Sequence, residues 1–201
     1  MKPRLIAVSL SVTMLLTAGG IIAAQNEAVD KQFEATCPVS GKPALESSVV
    51  ELPKGGGKIY FCCENCPKTF EKDPEKFELK ARRQLLETGQ IVQVACPITG
   101  KPVNKETMVE VGHTEAGFCC EKCLAKFDAA DDEEKLKIIF ADLDKGFTRQ
   151  TTCPVSGKPI DPQQSVEHKD KKVYFCCPNC PDAFQADPEK FIAKLPQFAT
   201  E

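Results

Sequence analysis

The 201-residue chain contains no tryptophan, two tyrosines and two histidines, so twelve phenylalanines must supply nearly all of its large aromatic volume. Such a composition excludes one broad aromatic core and favours several small ones. His113 and His168 lie in strand or loop positions with no partner elsewhere in the repeated pattern described below. They are expected at the surface and cannot equip a recurring site with a general base, so an enzyme is not expected. Positive charge is not in excess either: 26 Lys and Arg face 29 Asp and Glu, for a formal charge of -3. That balance excludes a nucleic-acid partner, which needs a basic face to neutralise phosphates.

Long apolar runs are missing everywhere except at the start. Lys2 and Arg4 precede an uncharged stretch from Leu5 to Ala24 that ends in small residues. This has the form of a secretory signal at 1–24, predicting an exported, periplasmic or secreted protein. The competing reading is a retained anchor, since about 20 apolar residues can span a bilayer; Ser9, Ser11, Thr13, Thr17, Gly19 and Gly20 weaken it. A membrane partner is expected only if that segment is kept.

What the chain has in abundance is cysteine, twelve in all. Three strand-like segments run into a doubled cysteine with another three residues on: Ile59 to Cys66, Gly117 to Cys123 and Val173 to Cys180. Each follows a turn of the form Cys-Pro-x-Ser/Thr-Gly-Lys, at Cys37, Cys96 and Cys153. In these turns the proline sets one dihedral and Gly41, Gly100 or Gly157 supplies a positive one. All cysteines are then used, four per repeat: Cys37, Cys62, Cys63 and Cys66; Cys96, Cys119, Cys120 and Cys123; Cys153, Cys176, Cys177 and Cys180.

The pattern predicts an α+β chain of three tandem small modules, each a knuckle, a β-hairpin and short helices, joined by helical linkers. After a linker at 25–35, repeat one spans 36–77, with strands at Ser48–Leu52 and Lys58–Cys62 and a helix start at Asp73-Pro74-Glu75. A helical linker covers 78–94, stopped near Gly89 and followed by a short strand at Ile91–Val94. Repeat two covers 95–130 and departs most, with Gly117 in place of tyrosine. A second helical linker, 131–151, carries Leu136, Ile139, Phe140 and Leu143 at three- and four-residue spacing. Repeat three covers 152–195. Cys37 and Cys153 are 116 apart but Cys62 and Cys176 only 114, which places a two-residue insertion in the loop around Gly55-Gly56-Gly57. Phe70, Phe77, Phe127, Phe184 and Phe191 are expected in the cores.

Four thiolates in two converging segments suit a tetrahedral soft-metal site, with zinc or copper(I), one ion per repeat, as the cofactor. The x-x spacing makes Cys63 and Cys66, with Cys37, the firmer ligands. Cys62 joins them only if the strand has already turned, because neighbouring strand residues face opposite sides; otherwise it is a core thiol. The same choice applies to Cys119 and Cys176. Ser40, Thr99 and Ser156 can bond a thiolate or the turn backbone, and Lys42, Lys101 and Lys158 can offset thiolate charge or simply face water. Two other readings of the cysteines stand beside metal: a disulfide-stapled extracytoplasmic interaction or scaffold protein, and a redox Cys-x-x-Cys pair, for which the βαβ setting is missing.

Tyr60-Phe61-Cys62-Cys63-Glu64-Asn65-Cys66, with Phe70 and Asp73-Pro74-Glu75-Lys76-Phe77, resembles the YHS domain of the TRASH-like group, across all three repeats and closely in the first and third. The resemblance implies treble-clef or zinc-ribbon-like modules that handle copper or zinc in sensors, transport ATPases and metallochaperones. It also implies partners such as a metal transporter or another exported protein. The family opens with Asp-Pro-Val-Cys-Gly-Met and continues Tyr-Phe-Cys-Ser-x-x-Cys, so its cysteines fall at Ser40, Cys62 and Cys66. Here Ser40, Thr99 and Ser156 stand at the first of those places, and Cys37 and Cys63, with their equivalents, are additions.

Overall fold

The hairpins of repeats one and three follow from β-branched and aromatic residues flanking a turn. The computed structural model describes residues 33–53 and 56–198; the signal segment expected at 1–24 and the first part of the linker expected at 25–35 lie outside them. In repeat one, β1 (Leu45–Leu52) pairs antiparallel with β2 (Gly57–Phe61), with an irregularity between Leu45 and Val49. α1 (Asn65–Lys72) follows the cysteine turn. Asp73 then caps α2 (Pro74–Glu87) by accepting from the Lys76 N–H, as its Asp-Pro-Glu start predicts. Phe33 does not belong to a free linker: its ring meets Tyr60 edge-on at 4.8 Å, and Ala35 is buried.

Repeat two repeats the plan in shorter form, with β4 (Met108–Val111), β5 (Thr114–Gly117) and α3 (Glu121–Asp128). Between repeats one and two runs β3 (Val92–Gln93). After α3 come α4 (Asp132–Phe140), α5 (Leu143–Gly146) and β6 (Phe147–Thr148). Repeat three holds β7 (Asp161–His168), β8 (Lys171–Phe175), α6 (Cys180–Ala186) and α7 (Glu189–Ile192). Its hairpin pairs His168 with Lys171, and the two turn residues, Lys169 and Asp170, take positive φ of 48° and 60°. Repeat one pairs Leu52 with Gly57, leaving four residues in that turn. The two-residue insertion therefore lies in the hairpin loop. Among the described residues, no helix is long and apolar enough to cross a membrane.

The segments between repeats pack rather than merely separate. α2 starts inside repeat one and continues without a break to Glu87, so the helix expected at the start of the 78–94 linker is the continuation of one begun at Pro74. β3 pairs with β6, joining the two inter-repeat segments. Arg82 on α2 donates to the Phe140 and Ala141 carbonyls at 2.6 and 2.8 Å, satisfying the end of α4, where carbonyls lack helical partners. The buried side chain of Glu87 pairs with Arg83 at 3.1 Å. It also accepts from the Thr36 N–H at 2.8 Å and the His113 N–H at 3.4 Å, bridging the knuckle of repeat one and the hairpin turn of repeat two. Repeats one and two consequently share one apolar cluster, with Leu85, Ile91, Ile139, Phe140 and Phe147 between them. Repeat three has its own, built on Val173, Phe175, Phe184, Phe191 and Leu195.

Candidate metal centres

The same local logic builds each cysteine cluster. Cys37 opens a turn closed by its own N–H donating to the Lys42 carbonyl at 2.8 Å and by Gly41 N–H donating back to the Cys37 carbonyl at 2.9 Å. Gly41 takes a φ of 74°, and Gly100 and Gly157 take 71° and 74°. That region is strained for a side chain, so the glycine of the motif is required by the backbone. The aromatic strand arrives next to the knuckle. Phe61 is fully buried and packs edge-on against Phe70 of α1, centroids 5.5 Å apart. The corresponding pairs Phe118–Phe127 and Phe175–Phe184 lie at 5.4 and 5.5 Å. This aromatic clamp holds the second turn of the helix against the strand end.

Because β2 ends at Phe61 with that ring facing the core, the next side chain faces the other way, toward the knuckle. The structure therefore brings Cys62, and not Cys63, into the cluster with Cys37 and Cys66. Their Sγ atoms all lie within 4.8 Å of one another, as do those of Cys96, Cys119 and Cys123 and those of Cys153, Cys176 and Cys180. The expectation that Cys62 was the uncertain member is reversed: the turn follows Cys62, so the thiol that points outward is Cys63. Cys63 and Cys120 are exposed and Cys177 is half-buried. Each remains close to a cluster sulfur. Cys63 Sγ is 3.5 Å from Cys66 Sγ, Cys177 is 3.4 Å from Cys180, and Cys120 is 3.7 Å from Cys119.

These separations carry chemical information. A sulfur–sulfur bond measures about 2.05 Å, and all twelve cysteines are free. Within the clusters, Cys62 and Cys66 are 3.7 Å apart, Cys119 and Cys123 3.8 Å, and Cys176 and Cys180 3.7 Å. A tetrahedron of thiolates at the usual 2.3 Å from a zinc-sized ion has an edge of about 3.8 Å. Each triad can hold one metal ion.

The hydroxyls upstream serve both roles open to them. Ser40 Oγ accepts from the Lys42 N–H at 3.2 Å and hydrogen-bonds Cys62 Sγ at 3.1 Å. Thr99 pairs with Cys119 at 3.2 Å and Ser156 with Cys176 at 3.1 Å. Lys42, Lys101 and Lys158 are exposed. Histidine placement is uneven. His113 is half-exposed, with Nδ1 3.9 Å from Glu34. His168 departs from its expected surface position: it packs edge-on against Phe184 at 5.4 Å and Phe198 at 6.0 Å.

Charge is distributed unequally within each triad. Burial pushes the Cys37 thiol up, but the Ser40 hydroxyl and the N–H groups of Ser40, Cys62 and Val39 outweigh it and bring it down to about 7. Cys96 and Cys153 likewise come down to about 7, through Thr99 and Ser156 and the surrounding N–H groups. Cys66 and Cys180 go the other way: burial, then the neighbouring sulfurs, push both far up, and Cys123 is pushed up to about 12. A knuckle thiolate beside a buried thiol that resists ionising is an arrangement in which a cation can take the place of a proton.

One set of residues was missed in the sequence. Gln84, fully buried on α2, accepts from the Tyr60 N–H at 2.7 Å and donates to the Tyr60 and Thr36 carbonyls at 2.7 and 2.9 Å. Its amide thereby ties the cysteine strand to the residue before the knuckle cysteine. Gln93 does the same for Gly117 and Ala95, and Gln150 for Tyr174 and Thr152. Gln93 and Gln150 each stand three residues before a knuckle cysteine, a register visible in the sequence. Repeat one has Glu34 there and recruits Gln84 from the following helix instead, which no local pattern signals.

No protein-family model matches the chain, and neither does any curated protein or solved structure with which it was compared.

Proposed function

We propose that the protein is an exported, non-enzymatic carrier or buffer of a soft metal ion, made of three YHS-like, treble-clef-type modules. The observation that carries the reading is the threefold recurrence of a three-sulfur cluster with one half-buried corner. Soft thiolates favour copper(I) and zinc over hard cations. Three protein ligands leave a further coordination position for an incoming ligand, whereas purely structural zinc sites are closed by four. An open corner suits transfer, in which a donor or acceptor thiol enters before the ion leaves. The partner is accordingly another exported protein or a transporter presenting thiolates of its own.

Outside the cytosol unprotected thiols oxidise, and an ion bound at each cluster keeps its sulfurs reduced. Native mass spectrometry and elemental analysis of the protein purified without chelator test the proposal. One copper or zinc ion per repeat, lost from one site at a time in Cys62→Ser, Cys119→Ser and Cys176→Ser, is the expected result. A metal-free chain lighter by about two mass units per bridge would be the signature of a disulfide scaffold and would rule the reading out.

A further inference from the structure

One thiol of each repeat stands outside the three mutually close sulfurs. In repeats one and three it stands against a cluster member across a Cys-x-x-Cys turn, Cys63 Sγ 3.5 Å from Cys66 and Cys177 Sγ 3.4 Å from Cys180. The outer thiol of each pair can be reached from solvent, and the inner one is buried among the ligands. The Cys66 N–H donates to the Cys63 carbonyl at 3.3 Å, and the Cys180 N–H to Cys177 likewise at 3.3 Å, so both pairs are held across a closed helical turn. Closing either gap to about 2.05 Å forms a disulfide. We propose that Cys63 with Cys66, and Cys177 with Cys180, are dithiol sites that reduce an incoming disulfide and in doing so discharge the ion of their own cluster. The inference rests on the metal-binding reading only for the ion that is discharged.

The exchange is balanced as written. Cys63 thiolate attacks one sulfur of a small-molecule or protein disulfide, RSSR; that bond breaks, one RS⁻ leaves, and a mixed disulfide forms on Cys63. Cys66 thiolate then releases the ion and attacks the Cys63 sulfur, expelling the second RS⁻. Two cysteine sulfurs lose two electrons, RSSR gains them, and the departing thiolates take protons from solvent. A zinc ion is left with Cys37 and Cys62 alone, two of the four ligands it takes. In repeat two the same turn is closed, the Cys123 N–H donating to the Cys120 carbonyl at 3.1 Å, but the outer Sγ lies against Cys119 at 3.7 Å, an adjacent residue with which a disulfide closes a strained ring. Repeat two is expected to keep its ion.

The test uses the full chain, reduced, loaded with zinc and counted by elemental analysis, to which two equivalents of 2,2′-dithiodipyridine are added. The released pyridinethione and zinc are followed by absorbance, and the bonds formed are mapped by mass spectrometry without reduction. The expected result is two zinc ions lost per chain, with bonds at Cys63–Cys66 and Cys177–Cys180 and two pyridinethiones per bond. The double variant Cys63→Ser, Cys177→Ser keeps all three triads and is expected to load three ions but release them at least tenfold more slowly. Release from that variant at the wild-type rate overturns the proposal, as does retention of all ions by the wild type or bonding through Cys37 or Cys153. If zinc never loads, the metal reading fails on its own; the dithiol assignment then stands or falls on whether the mapped bonds are those two.

Discussion

Repeats one and two on the one side, and repeat three on the other, carry the same cluster with different support. Among the described residues, the first two share an apolar cluster of nineteen buried residues, threaded by α2 and α4, whereas the third has seven. Yet the knuckle hydrogen bonds, the aromatic clamp, the glutamine tie and the sulfur separations recur in all three. The cluster is therefore specified by its own turn, strand end and helix start, and the larger core behind repeats one and two is an addition to that unit. A core of seven residues in under 60 is too small to hold a fold by itself without a staple, so repeat three should depend on its ion most.

Chelation gives the largest expected effect and the most direct way to break this comparison. Removing metal from the reduced protein is expected to unfold repeat three while the shared core of repeats one and two persists. Hydrogen exchange would then lose protection over 152–195 first; equal loss in all three repeats would refute the difference in support. Next comes Phe140→Ala, which hollows the shared core at a fully buried ring and should cost about 3–5 kcal/mol. Denaturant unfolding should show that loss, with repeat three still binding its ion.

Gln150→Ala should cost about 3 kcal/mol, because it leaves the Tyr174 N–H and carbonyl without their partners at about 1–3 kcal/mol each. Faster metal loss confined to repeat three is the reading that separates a cluster tie from a general destabilisation. The smallest effect concerns pH. Cys37, Cys96 and Cys153 sit at about 7, so above that pH they are ready to bind and below it an ion must displace a proton. Affinity should accordingly fall about tenfold, or about 1.4 kcal/mol, for each pH unit below 7 and each proton displaced. A competition titration at pH 5, 6 and 7 would measure it, with the same slope expected at all three clusters.

The repeat, the knuckles and the hairpins are legible in the sequence because they depend on short-range chemistry. Pro38 and Gly41 dictate the turn, Asp73-Pro74 starts α2, and a shift of two in cysteine spacing located the extra loop residues. The division into modules and linkers was less legible. The helix expected over 78–89 is there as the second half of α2, but its buried face, with Ala81, Leu85 and Leu86, packs on neighbours far along the chain.

Sequence alone determined that a knuckle cysteine and a strand-end cysteine segment recur together in every repeat, because each half is encoded within a few residues. Only the tertiary structure decided which of the doubled cysteines enters the cluster. That choice depends on where the strand stops: Phe61 must face the core to meet Phe70, so Cys62 faces Cys37 and Cys63 is turned outward. The glutamine that secures repeat one was likewise decided in three dimensions, since Gln84 reaches Tyr60 only once α2 has packed against the hairpin.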